Sequence, residues 1–197
     1  MSMSSSITRK VAFFVTGNVH KFNEARHALA KYNIATAMLN LETIEIQDDN
    51  IENIARISAI DAAKKSNLPV FVEDAGLFIT ALNGFPGPYS SYVYRTMGTK
   101  GILKLMGNEK NRDAYFLSAL AFSTSPDQSD PKTFVGRIDG RITHEEKGRQ
   151  GFGYDPIFEP LGGNGKAFAE MTTIEKNKYS HRAQALSKFS NWFMSYF

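Results

Sequence analysis

Two short apolar runs constrain this chain more than anything else in it: Val11-Ala12-Phe13-Phe14-Val15 and Leu68-Pro69-Val70-Phe71-Val72. Both are continuous rather than alternating and rich in β-formers, as strands covered on both faces are. The first runs into a polar turn, Thr16-Gly17-Asn18, and then into a helical pattern from His20 to Tyr32 with Phe22, Ala25, Leu29 and Tyr32 on one face. Strand, tight turn and helix in that order open an α/β unit. The second runs directly into Glu73-Asp74, which puts two carboxylates at the carboxyl end of a buried strand, where α/β sheets gather functional groups. With 197 residues, 42% hydrophobic and 12% aromatic, the chain can bury a core. At ~100–200 residues per domain it forms one domain, or two lobes sharing a core.

Between those runs, Leu41 to Ala55 carries five acidic residues (Glu42, Glu45, Asp48, Asp49, Glu52) and no basic one. A helix is expected over roughly Ile51–Lys65, with Ile51, Ile54, Ala55, Ser58 and Ala62 in register. The Gly/Pro stretch Asn83–Tyr89 has little capacity for regular structure. Thr99 is placed to cap a short helix through Met106, and Tyr115–Phe122 reads as a strand. Thr133–Ile138 and Arg141–Thr143 flank Asp139-Gly140, the strongest hairpin signal in the chain. A glycine-rich loop follows over Gly148–Asp155. Thr172-x-x-Glu175 is a capping box, and Ser180 precedes a last helix with Leu186, Phe189, Trp192 and Phe193 on its apolar face. Residues 1–10 are expected as a disordered tail and 11–197 as one domain of two lobes.

Composition closes off several functions. The absence of cysteine excludes disulfides, zinc–thiolate sites, iron–sulfur clusters and cysteine nucleophiles. It also suits a cytoplasmic location. His20, His27, His144 and His181 are scattered, without metal-binding spacing. No apolar run approaches the ~18 residues of a membrane span, so no membrane partner is expected. A net charge of +3 is too small to imply nucleic acid.

Four constellations carry chemistry. Thr16-Gly17-Asn18, with Lys21 one turn into the helix, offers backbone amides, the helix dipole and a cation to an anion. Asp74, together with Glu45 from the acidic stretch, offers the oxygen donors that Mg²⁺ prefers. Gly151-Phe152-Gly153-Tyr154-Asp155 presents an aromatic ring between flexible backbone groups, suited to a flat ligand. Lys176 and Ser180-His181-Arg182 bring donors that could read phosphate oxygens or a carbonyl on a base. Each alone has an ordinary structural reading: a capped helix, a solvated acidic face, a tight turn, a surface histidine. Together they describe a site for a metal-chelated nucleoside polyphosphate.

In order along the chain, Phe14-Val15-Thr16-Gly17-Asn18-x-x-Lys21, Glu45-Ile46-Gln47, Val72-Glu73-Asp74-x-Gly76-Leu77, Gly84–Tyr89, Phe152–Asp155, Ala169–Met171, Glu175–Asn177 and Ser180-His181-Arg182 resemble the motifs of the inosine triphosphate pyrophosphatases, also called non-canonical purine NTP pyrophosphatases. The resemblance implies two α/β lobes around a long mixed sheet with flanking helices, an active-site cleft between the lobes, and a homodimer. It implies Mg²⁺-dependent hydrolysis of ITP, dITP and XTP to the monophosphate and pyrophosphate. Position by position, Thr16, Gly17, Asn18 and Lys21 would hold the triphosphate and Ala75 would adjoin it. Glu45 and Asp74 would ligate magnesium, with Asp74 also the proton acceptor. Phe152 would stack on the purine with Gly153, Tyr154 and Asp155 around it, and Lys176, His181 and Arg182 would recognise the 6-keto base.

The chain departs from the family at three places. Ala75 stands where Ser or Thr is common, Ser58 where the preceding helix often carries Lys, and Ser91 where a basic residue is usual. The rival readings are a non-catalytic nucleotide or nucleic-acid binding module and a related pyrophosphatase for pyrimidine or methylated nucleotides. A pure phosphate binder gains nothing from Glu45 and Asp74.

Overall fold

A computed structural model describes residues 10–196. The strands are β1 (Lys10–Val15), β2 (Ile34–Leu39), β3 (Val70–Ile79), β4 (Pro86–Gly87), β5 (Asp113–Ser123), β6 (Lys132–Ile142) and β7 (Phe158–Pro160). The helices are α1 (Val19–Ala30), α2 (Ile51–Ser66), α3 (Ser90–Met106), α4 (Thr173–Lys176) and α5 (His181–Tyr196). They form one mixed sheet in the order β2-β1-β3-β5-β6-β7, with β4 paired to β3. β2, β1 and β3 run parallel; the pairs from β3 through β5, β6 and β7 are antiparallel. Among the described residues no helix is long and apolar enough to cross a membrane. The expected tail lies outside the described residues except for Lys10, which opens β1.

The long strands serve two regions of core. Near the parallel end, Phe14, Phe71, Leu120 and Phe122 pack under α1 and α5 against Ala25, Leu29, Leu186 and Phe189. On the opposite face Val15, Val70, Val72 and Ala121 meet α2 through Ile51, Ala55, Ala59 and Ala62. Further along β3 and β5, Leu77, Ile79 and Phe116 join Ile102, Phe158 and Phe168 in a second core. Glu73 and Asp74 lie where the first set of contacts gives way to the second.

The expected strand end at Val72 is corrected: β3 continues through Glu73-Asp74 to Ile79. The parallel pairing with β1 stops at Phe71, but β5 pairs with β3 from Val70 opposite Ser123 to Ile79 opposite Ala114. The carboxylates therefore sit mid-strand, just beyond the point where β1 ends. The expected hairpin at Asp139-Gly140 is also corrected. β6 runs straight through both residues because β5 pairs with them, Asp139 with Tyr115 and Gly140 with Ala114, and Gly140 also meets Pro160 of β7. Glycine is needed at 140 for close approach, since a Cβ there would overlap the Glu159 carbonyl oxygen. The helix expected from Thr99 is the second half of α3, which starts at Ser90 and kinks at Gly98. β2, Ala-rich and short, has no counterpart in the sequence reading, and the Gly/Pro stretch holds β4.

Candidate active site

The polar turn after β1 is built as a helix entry. Asn18 has extended backbone, and its Oδ1 accepts from the amides of His20 at 2.9 Å and Lys21 at 3.1 Å. The Asn18 amide donates to Thr16 Oγ1 at 3.1 Å. Those side-chain oxygens thus hold the turn together rather than face outward. The amides of Gly17 and Val19 have no partner among the described residues. With the Thr16 hydroxyl proton and Asn18 Nδ2 they are the donors the turn offers an anion.

Behind the turn, three cations and three carboxylates alternate in one chain of ion pairs. Lys21 Nζ lies 3.0 Å from Glu73 Oε2; Arg182 Nη2 lies 3.1 Å from Glu73 Oε1 and its Nη1 2.5 Å from Glu24 Oε2. Lys176 Nζ lies 2.7 Å from Glu24 Oε1 and 2.6 Å from Asp155 Oδ2. Asp155 Oδ2 also accepts from the Phe152 amide at 2.8 Å, so the chain runs from the turn after β1 to the aromatic loop. Ser118 Oγ donates to Glu73 Oε1 at 2.6 Å. Burial pushes the Glu73 carboxyl up, but Arg182, Lys21 and the Ser118 hydroxyl hold it far below the usual carboxylate range. Burial would lower the Arg182 guanidinium, and Glu73 and Glu24 more than reverse that.

Successive residues of a strand face opposite sides of the sheet. Glu73 shares the face of Phe71 and meets α1 and α5; Asp74 shares the face of Val72, the side of α2. Asp74 has no ion pair among the described residues. Burial raises its carboxyl, Lys21 lowers it, and Glu73 and Glu45 raise it again, so that it titrates at about 6 against an ordinary 3.8. Glu45, 29 residues earlier in the chain, thus contributes to the field at Asp74.

A segment with these elements in this order matches the model of the Ham1 family over residues 12–192. The chain belongs to the Ham1 family. Among its relatives, the dITP/XTP pyrophosphatase of Methanopyrus kandleri is 48% identical over 180 residues, 91% of this chain and 94% of that protein. The dITP/XTP pyrophosphatase of Thermococcus kodakarensis is 46% identical over 91% of this chain and 95% of that protein. Among solved structures, a HAM1 protein from Coxiella burnetii superposes with a TM-score of 0.83 at 29% identity, covering 94% of this chain and 99% of the other.

The remaining positions divide into those with open groups and those whose groups are spent on the fold. Phe152 stacks on His20 of α1, centroids 5.1 Å apart and 16° between planes. The Lys176 ammonium lies 4.9 Å from its centroid. Gly153 has open space around it and φ +61°. Tyr154 is buried, donates its hydroxyl to the Ser90 carbonyl at 3.1 Å and meets Tyr94 edge-on; it anchors the loop to α3 rather than surrounding a ligand. The Ala75 amide, next along β3, acts to lower the Asp74 carboxyl. His181 is buried and stacked on Phe116 at 4.7 Å. Its ring is held neutral by burial and by Arg182. Among the described residues its Nδ1 and Arg182 Nε are buried without a hydrogen-bond partner. Gly136 of β6 lets α5 come this close, because a Cβ there would overlap the His181 carbonyl.

Sequence reading missed Glu24, Ser118 and His20. Glu24 was detectable in principle, as an acid within the apolar stripe between Phe22 and Ala25. For magnesium, the donor set fits. Among the described residues no three or more His, Asp or Glu cluster as a ready-made metal cage. Mg²⁺, however, takes one or two carboxylates and completes its shell from water and substrate phosphate. Asp74 and Glu45, neither in an ion pair among the described residues, are such a pair.

Proposed function

We propose that this Ham1 family chain hydrolyses dITP, XTP and ITP to the nucleoside monophosphate and pyrophosphate, with Mg²⁺ held by Glu45 and Asp74. The observation that carries the reading is Asp74 itself: a strand carboxylate left without a cation, beside a second acid and a turn with unspent amides. Its carboxylate oxygens can both ligate a cation and hold a water by hydrogen bond, the geometry a proton acceptor needs. The relatives named dITP/XTP pyrophosphatase support the substrate class.

In this reading the Gly17 and Val19 amides, Thr16 and Asn18 hold the phosphate oxygens, and Lys21 adds the one ammonium proton that Glu73 leaves free. Asp74 orients a water and accepts its proton as the water oxygen bonds to the α-phosphorus. The bond from that phosphorus to the bridging oxygen breaks, and pyrophosphate leaves with the electron pair. Bound magnesium would supply charge neutralisation on the phosphoryl oxygens. Phe152 stacks on the purine. The His181–Arg182 end of α5 meets the 6-position, where a site built to donate favours a carbonyl over an amine. A homodimer in the cytoplasm belongs to the same reading, and sedimentation equilibrium tests the dimer.

The experiment is ³¹P NMR of the purified chain with dITP, XTP, dATP and dCTP, with Mg²⁺ or with EDTA. Monophosphate and pyrophosphate from dITP and XTP, with Mg²⁺ only, are expected. Binding of dITP without turnover would replace the reading with a binding module, and preference for dCTP would replace the substrate class.

A further inference from the structure

Glu45 lies in a stretch with no regular secondary structure, between the end of β2 at Leu39 and the start of α2 at Ile51. Such a segment takes its position from side chains and neighbouring elements rather than from a ladder of its own. On the N-terminal side of Glu45 apolar burial does little to fix it, since Ile44 is 53% exposed. What fixes it is a polar clamp from α2. The Ile44 amide donates to Asp61 Oδ2 at 3.0 Å, and the Ile44 carbonyl accepts from Ser58 Oγ at 2.8 Å. Ser58 and Asp61 are three residues apart, one above the other on a single helix face. Lys65, one turn further on, lies 2.8 Å from Asp61 Oδ2 and donates to the Glu42 carbonyl at 2.8 Å. Both backbone groups of the residue preceding Glu45 are thus taken by one helix, and α2 is itself packed on β3 and β5 through Ala55, Ala59 and Ala62. The rigid path from Glu45 to Asp74 runs through this clamp.

We propose that Ser58 and Asp61 are positioning residues which hold Glu45 toward Asp74 and so set the affinity of the site for its divalent cation. The inference rests on the reading of Glu45 and Asp74 as the metal carboxylates. It gives Ser58 a role that its size fits, since the short hydroxyl reaches the Ile44 carbonyl at 2.8 Å.

The test uses the full chain and Mn²⁺ as probe. Mn²⁺ binding is followed by the loss of the free-ion EPR signal, and the Mg²⁺ half-saturation of dITP turnover is measured alongside. Ser58→Ala and Ser58→Ala/Asp61→Ala are compared with Ser58→Thr and with Glu45→Gln. Losing a group that orients a metal ligand costs about 10- to 100-fold in affinity. Weakening of Mn²⁺ binding by about 10-fold is expected in the double variant, with Ser58→Thr restoring most of what Ser58→Ala loses. Should the double variant fail to fold, the Ser58→Ala and Ser58→Thr pair decides alone. Unchanged Mn²⁺ affinity in the serine variants, with Glu45→Gln weakened, overturns the positioning role and leaves the metal reading intact, whatever the melting temperature does. Unchanged Mn²⁺ affinity in Glu45→Gln overturns both.

Discussion

Replacing Asp74 by Asn should stabilise the metal-free protein while sharply lowering its turnover. In the fold Asp74 titrates at about 6, against 3.8 for an ordinary aspartate. A raised folded value means that the protonated form favours folding. That contribution is complete below pH 3.8 and is lost as pH rises through 6. At neutral pH the ionised carboxylate therefore disfavours the fold, by ~3 kcal/mol at about 1.36 kcal/mol per tenfold change in proton affinity. The group is only half-buried, and solvent screening reduces this to about 1–2 kcal/mol. Asn keeps an oxygen for the Ala75 amide and carries no charge. A domain of this size gains ~2–4 °C per kcal/mol, so Tm in EDTA at pH 7.5 should rise by about 2–8 °C. The gain should shrink to nothing between pH 6 and pH 4. Differential scanning calorimetry from pH 4 to pH 8 reads both features, and kcat for dITP should fall ~10²-fold or more, the scale for losing a general base. A variant that melts at or below the parent temperature at pH 7.5, or whose difference does not depend on pH, would refute the argument that Asp74 is an uncompensated charge.

Glu73→Gln should do the opposite. It leaves Lys21 and half of Arg182 without their anion, and removing one partner of a buried pair costs about 3–5 kcal/mol; urea denaturation checks it. Because the Glu73 value is depressed, its contribution is present above the unfolded 4.5 and is lost only as pH falls further, so the gap to the parent should stay level from pH 8 to pH 5 and narrow in stronger acid. Phe152→Ala should lower kcat/KM for dITP by about 5- to 150-fold, the equivalent of ~1–3 kcal/mol of base stacking; steady-state kinetics with no such loss would remove Phe152 from the base site. Gly136→Ala should destabilise the fold by about 1–3 kcal/mol as the new Cβ drives α5 off β6, and raise KM for dITP because His181 and Arg182 ride on that helix end.

Much of the local structure was legible because it rests on local pattern. β1, α1, α2, the Thr172–Glu175 capping box and the apolar face of α5 follow from periodicity and caps that the chain carries within one or two turns. What failed depends on partners far away. Glu73, Asp74 and Gly76 break the apolar run after Val72, yet the strand goes on because β5 lies alongside. Asp139-Gly140 has the composition of a turn but is held straight by strands on both sides. The pieces of the candidate site were legible in kind: a polar turn, two acids, an aromatic loop and a basic helix start. Its wiring was not. Lys21 meets Glu73 across 52 positions and Arg182 meets Glu24 across 158, and nothing local says which cation will neutralise which acid. Lys176 and His181, ordinary surface residues by composition, are buried for the same reason.

That wiring decides how two adjacent carboxylates come to play different parts. Glu73 and Asp74 share a strand, and the pleat sends one toward α1 and α5 and the other toward α2. On the first side Arg182, Lys21 and Ser118 converge, so Glu73 is ionised at any working pH and acts as a fixed charge. It holds one end of a chain of ion pairs that reaches the Phe152 loop. On the second side Asp74 has no ion pair among the described residues, and a further acid, Glu45, is brought up by the clamp from Ser58 and Asp61. An aspartate so placed is an acceptor waiting for a positive charge, be it a proton or a dication. Environments that drive neighbouring carboxyl groups apart are how one fold separates a structural charge from a reactive one. Changing the surroundings and not the identity of Asp74 should shift it accordingly: removing the neighbouring acid, as in Glu45→Gln, should lower the Asp74 value of the metal-free protein from about 6 toward that of an ordinary carboxylate, read by NMR titration of its side-chain carboxyl, and an unmoved value would refute the pairing of the two acids.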